Sequence, residues 1–220
     1  IENALKMIEI AKECGADAIK FQTFVASKLA TKSALQAKYQ RVNTGKKETQ
    51  FDMLRRLELK KEFHDLLIKH CKKNSIEFMS SPFDIDSAKF LKEKGMRIFK
   101  IPSGEITNKP YLEIIASYNK PTILSTGMST LNEVEAAIKV FKKKNFDLKN
   151  FSLLHATSDY PADPKEANML CISTMKEKFN LRVGYSDHTK TSDCSHIALS
   201  LGATIFEKHF TLDKSMEGPD

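Results

Sequence analysis

Seven short apolar runs, separated by stretches of helical spacing, limit most strongly what this chain can fold into. The runs cover residues 18–24, 76–81, 97–102, 122–126, 151–156, 181–185 and 204–210. Near-continuous apolar strands suit a parallel sheet covered on both faces, whereas a half-exposed sheet alternates strictly between apolar and polar. Between the runs, Ile1, Ala4, Leu5, Ile8 and Ala11 recur as one face of a helix closed by Gly15. Further helices are expected at about 59–73, with Phe63, Leu66, Leu67 and His70 on one face, and at 85–93, 111–118, 131–143, 164–179 and 192–201. Residues 27–50 read as a long polar connection with a turn at Thr44-Gly45-Lys46.

No Gly-rich dinucleotide turn follows any strand, which argues against a Rossmann fold. The strand count is one short of an eight-stranded α/β barrel. Because residue 1 already lies in a helical pattern, the missing unit is expected as a first strand upstream. The fold class expected is therefore α/β, a TIM-type (β/α)8 barrel, with residues 1–220 as one barrel domain.

Composition excludes other classes. With 41% hydrophobic and 29% charged residues the chain is neither disordered nor a coiled coil. No apolar stretch approaches the roughly 18 residues a membrane span needs, and no secretory signal is recognisable at the start. The net charge of +7 is spread over scattered lysines and short runs such as Lys142-Lys143-Lys144, without the interleaved aromatics of a nucleic-acid surface. Cys14, Cys71, Cys171 and Cys194 match no zinc spacing and read as reduced thiols of a cytoplasmic protein.

In a barrel the chemistry sits at the carboxyl ends of the strands. Those ends carry Lys20 and Gln22; Ser80 and Ser81; Lys100, Ser103 and Glu105; Ser125 and Thr126; His155, Thr157, Ser158 and Tyr160; Ser186, Asp187 and His188; and Glu207, Lys208, His209 and Thr211. Taken singly, a serine there caps the next helix, a histidine is a satisfied core side chain, and a lysine pairs with a carboxylate. Taken together, lysines and hydroxyls aimed at one place make a phosphate or carboxylate site. His188 and His209 end successive strands and, as neutral imidazoles, suit a divalent metal.

Several stretches carry a more specific likeness: Lys20-Phe21-Gln22-Thr23, Ser81-Pro82-Phe83, Lys100-Ile101-Pro102-Ser103-Gly104-Glu105, Leu124-Ser125-Thr126-Gly127-Met128, Tyr160-Pro161, Gly184-Tyr185-Ser186-Asp187-His188-Thr189, Glu207-Lys208-His209-Phe210-Thr211 and Gly218-Pro219-Asp220. In this order, over the whole chain, they resemble the catalytic barrel of the sialic acid synthases. The closing stretch and Ile101-Pro102-Ser103 look closer to the legionaminate type than to animal sialic acid synthases.

The resemblance implies metal-dependent condensation of phosphoenolpyruvate with an N-acetylmannosamine-type acetamido sugar, giving a nine-carbon acid and phosphate. By resemblance, Lys20, Ser81, Lys100, Ser103, Ser125 and Ser186 match donor-binding positions. Gln22, Tyr160 and Asp220 match positions facing the acceptor, and Ser158 stands where some members carry Asn. His188 and His209 match ligands of a manganese or magnesium ion. Glu105, Lys100 and His209 take the catalytic roles, with Glu105 beside the reacting carbons.

The family's first strand would precede Ile1, and a small antifreeze-like domain would follow Asp220, reaching into the partner's site in a homodimer. Two other readings compete: a Schiff-base aldolase using Lys20, Lys100 or Lys208, and a barrel that binds sugar phosphates without turnover. Neither nucleic acid nor membrane is expected as a partner.

Overall fold

Every one of the seven expected strands forms, and all their pairings are parallel. The computed structural model describes residues 1–219, which divide into two compact units, residues 1–97 with the chain from Phe210 on, and residues 98–209.

In the first unit, α1 (Glu2–Glu13) leads to β1 (Ala18–Thr23), and α5 (Phe63–Lys73) leads to β2 (Glu77–Pro82) and α6 (Ile85–Glu93). β1 and β2 pair in a register that sets Lys20 opposite Met79 and Gln22 opposite Ser81. Behind them lies a buried hydrogen-bond chain. His64 Nδ1 lies 3.2 Å from the Lys60 carbonyl, Thr23 Oγ1 lies 2.9 Å from His64 Nε2, and Ser80 Oγ lies 2.7 Å from Thr23 Oγ1. One proton order satisfies all three contacts: Ser80 donates to Thr23, Thr23 to Nε2, and Nδ1 to the carbonyl. The chain thus pins α5 to both strands through a neutral imidazole.

Residues 27–50 are not one loop. They hold most of α2 (Ala26–Leu29), all of α3 (Lys38–Thr44) and the first residue of α4 (Gln50–Leu57), and Gly45 closes α3 in the left-handed region at φ 63°. Each is short and buries a single residue fully, Ala26, Gln40 or Met53. The helix expected at 59–73 begins only at Phe63, and its buried face is His64, Leu67 and Cys71, with Leu66 exposed.

The second unit is a five-stranded sheet in sequential order: β3 (Phe99–Ile101), β4 (Thr122–Ser125), β5 (Phe151–Ala156), β6 (Arg182–Asp187) and β7 (Phe206–Lys208). The connections are α7 (Lys109–Ser117), α8 (Leu131–Lys143), α9 (Cys171–Phe179) and α10 (Asp193–Ser200). Every residue of β3 and β5 is buried, as helical cover on both faces requires. Local signals start the helices: Asn108 caps α7, with Pro110 in its first turn, and Thr130 with Glu133 forms a capping box on α8. The expected helix at 164–179 splits into a 3-10 turn (Pro164–Glu166) and α9, because Asn168 sits at φ 44° and breaks the helical path.

Gly184 lets β7 approach closely. A side chain there would run into the Ile205 carbonyl, which accepts from Tyr185 N at 2.8 Å. His155 is a satisfied core side chain, its Nε2 donating to the Ala167 carbonyl at 2.6 Å and its ring stacked on Tyr185.

Burial lowers the pKa of both His64 and His155, against opposing backbone hydrogen bonds. Unfolded, each returns to about 6.5, so the folded state binds fewer protons. Stability from this source is present above that value and is lost as pH falls below it, at up to about 1.4 kcal/mol per pH unit for each group. Urea midpoints should therefore fall between about pH 7 and 5.5, before most carboxylates titrate. A flat profile across that window would contradict the neutral assignment.

Candidate active site

Strand alternation decides which side chains gather at the ends of β6 and β7. Residues two apart share a face, so Ser186 and His188 go one way with Glu207 and His209, while Asp187 and Lys208 go the other. The ladder pairs Ser186 with Glu207 and Asp187 with Lys208, which sets His188 and His209 just beyond its end.

On the first face, Lys100 Nζ of β3, itself buried, lies 3.1 Å from Glu207 Oε1. Ser186 Oγ donates to the same oxygen at 2.9 Å and lies 3.2 Å from His188 Nε2. His188 Nδ1 donates to the Thr157 carbonyl, so Nε2 carries the lone pair. The Ser186 hydroxyl has one proton and gives it to Glu207, which leaves that lone pair open to a cation. Burial depresses the His188 pKa and keeps the ring neutral, with His209 and Lys100 acting in the same sense against Thr157 and Glu207. His209 completes the corner, its ring 5.5 Å from that of His188, and Tyr160 lies against both rings at 4.2 and 5.1 Å.

A second cluster forms where the loops after β3, β4 and β5 meet. Gly127 adopts φ +50°, and a Cβ there would fall 2.5 Å from Ser103 Cβ and 2.9 Å from Ser158 Oγ. Only glycine lets these loops close so tightly. Ser125, buried at the end of β4, precedes this turn.

The remaining expected residues are placed less tightly. Glu105 ends a 3-10 turn and accepts from Asn108 Nδ2, the cap of α7, at 2.6 Å. Lys20, Gln22 and Ser81 belong to the other unit, where the Ser81 hydroxyl is buried without a hydrogen-bond partner. That orphan suits a ligand oxygen. Asp220 lies outside the described residues. Glu207, Thr157 and Gly127 were not singled out for roles, although the two-residue spacing from Glu207 to His209 was a usable signal.

Asp187, on the other face, is buried. Burial by itself raises its carboxyl, but hydrogen bonds from Ser195, Thr189 and Lys208 outweigh it and hold the pKa below the usual range. Among the described residues no cluster of three His, Cys, Asp or Glu side chains is arranged to hold a metal. No helix among them is long and apolar enough to cross a membrane.

The sequence pattern of the NeuB family matches residues 7–220. The chain belongs to the NeuB family. Among its relatives, the N,N'-diacetyllegionaminic acid synthase of Campylobacter jejuni is 50% identical over 217 residues, covering 99% of this chain and 65% of that protein. The enzyme of the same name from Legionella pneumophila is 46% identical, with all of this chain and 62% of that protein covered. The chain thus spans a little under two thirds of these NeuB-family relatives.

The solved N-acetylneuraminic acid (sialic acid) synthetase of Leptospira borgpetersenii, crystallised with citrate, superimposes with a TM-score of 0.86 at 34% identity, covering 99% of this chain and 70% of that one. A DAHP synthase from Thermotoga maritima, at 14% identity and a TM-score of 0.67, shares the fold alone.

Proposed function

We propose that this NeuB-family chain is the catalytic part of a sialic-type acid synthase. It condenses phosphoenolpyruvate with an N-acetylmannosamine-type acetamido sugar, and the legionaminate type is favoured by its 50% identity to such a synthase. The observation that carries the reading is the Lys100, Glu207, Ser186, His188 and His209 constellation, in which a paired lysine adjoins two imidazoles. On the resemblance, the seven strands belong to an eight-stranded barrel, in which Lys20 and Ser81 serve the same donor.

The donor carries a carboxylate and a phosphate, and its recognition calls for fixed cations and hydroxyls. Lys100, held by Glu207, supplies a preorganised charge. Ser103, Ser125, Ser158 and Ser186 supply hydroxyls, and the resemblance assigns Gln22, Tyr160 and Asp220 to the acceptor. The donor's C3 bonds to the sugar's aldehyde carbon, water adds at C2, and the C2–O bond breaks to release phosphate. Glu105 is assigned the proton transfers.

Two neutral imidazoles, one already oriented by a backbone carbonyl, suit a divalent ion whose remaining ligands are oxygens. Imidazole donors favour Mn2+ over Mg2+. Bound there, the ion would supply Lewis-acid polarisation of the acceptor's aldehyde oxygen. A homodimer and a cytoplasmic location complete the proposal; the four free cysteines agree with a reducing compartment.

Phosphate release tests the reading. The protein carrying this chain, given phosphoenolpyruvate and Mn2+, should release phosphate only when an acetamido sugar is added, and a chelator should stop it. Release without sugar, or none with any sugar while the donor binds, would refute the proposal.

Gly127→Ala gives a separate check on the donor loops. A left-handed L-residue costs roughly 1–2 kcal/mol, and Ser103 must move. Donor affinity by calorimetry should fall about tenfold, while an unchanged affinity would remove this cluster from the site.

A further inference from the structure

The face of β6 and β7 turned away from the imidazoles carries an ion pair with no part in the proposed chemistry. Asp187 Oδ1 accepts from Thr189 N and Thr189 Oγ1 at 2.8 and 2.7 Å. Asp187 Oδ2 accepts from Ser195 Oγ at 2.7 Å and from Lys208 Nζ at 3.1 Å. Lys208 Nζ also donates to the carbonyls of Thr189 and Thr191 at 2.7 and 3.1 Å. Its three protons are therefore all used, one on Asp187 and two on the loop that follows His188.

The pair lies where the ladder ends. β7 has three residues, and its last register partner is Asp187 opposite Lys208. His209 follows at once, exposed, with its ring against those of Tyr160 and His188. The His188 ring is oriented independently by Thr157. The register of β6 against β7 at their final pair therefore sets where the chain delivers His209 beside His188. Lys208 holds that register while clasping the 189–191 loop.

We propose that Asp187 and Lys208 are positioning residues for the metal pair His188 and His209, acting from the opposite face of the sheet. The inference rests on the metal reading given above. In metal sites generally, loss of a group that orients a ligand costs about 10–100-fold in metal affinity.

The test is Mn2+ titration by calorimetry, at a temperature where circular dichroism shows each protein folded. Lys208→Met keeps the stem and removes the charge, and should raise the Mn2+ dissociation constant about tenfold or more. Asp187→Asn keeps the shape and should shift it in the same direction, so the test survives if one variant fails to fold. Lys176→Met is the structural control, since Lys176 donates to the Leu201 and Gly202 carbonyls at the other end of α10. It should lower the melting temperature and leave Mn2+ affinity unchanged.

Wild-type Mn2+ affinity in both folded site variants would overturn the positioning role and leave the metal reading intact. Failure of the wild-type protein itself to bind Mn2+ would overturn both. A control variant that weakened Mn2+ binding as much as Lys208→Met would also count against the proposal, because general loosening would then explain the effect.

Discussion

Replacing His188 or His209 with Ala removes metal-dependent phosphate release, by at least about a hundredfold, because losing a ligand exceeds the cost of losing a group that orients one. The fold should survive either change. His209 is exposed, and His188 lies beyond the last residue of β6, so truncation opens the site and leaves the core closed. The check is steady-state phosphate release across a Mn2+ titration, with circular dichroism to confirm folding. The cost should appear as lost metal response, not only as a raised KM for sugar. Wild-type rates in either variant with a chelator present would dismiss the imidazole pair as a metal site.

Lys100→Met is the second large effect. The ammonium is buried and 3.1 Å from Glu207, so its charge is already placed and little ordering is lost when an anion arrives. A hydrogen bond to a charged group contributes roughly 1.5–3 kcal/mol. At 1.4 kcal/mol per decade, donor affinity should fall about ten- to a hundredfold. The variant also takes from Glu207 its Lys100 partner, so kcat should fall with affinity. Unchanged phosphoenolpyruvate affinity by calorimetry would refute the assignment.

Borohydride trapping separates condensation from Schiff-base chemistry, which needs a nucleophilic lysine. Lys208 Nζ is engaged by Asp187 and two backbone carbonyls, and Lys100 Nζ by Glu207, so neither nitrogen is placed to attack a carbonyl. Borohydride in the presence of substrate should therefore trap no adduct on the wild-type protein.

Much of this was legible from the sequence because the strands are buried on both faces. Runs such as Phe151–Ala156 are apolar enough to stand out, and their carboxyl ends then mark where chemistry-bearing side chains collect. The spacing of Ser186 to His188 already placed them on one face. The helices α2, α3 and α4 were not legible, because each spans eight residues or fewer and buries only one fully, too little for a sustained period to stand out. The α9 boundary was missed because a left-handed Asn168 leaves no periodic trace. Roles that depend on a partner in space were hidden too. Glu207 is one carboxylate among many until Lys100 and Ser186 meet it. Gly127 reads as an ordinary turn until Ser103 and Ser158 are seen against its Cα.

The central claim is carbon–carbon bond formation with phosphate leaving from C2. It is tested most directly by product mass spectrometry, using phosphoenolpyruvate that carries oxygen-18 in the bridging C2–O–P position. With Mn2+ and the acetamido sugar that gives the fastest phosphate release, the account predicts a nine-carbon acid without label and an equal amount of phosphate carrying it. Label retained in the acid, or labelled phosphate formed with no nine-carbon acid, would contradict it.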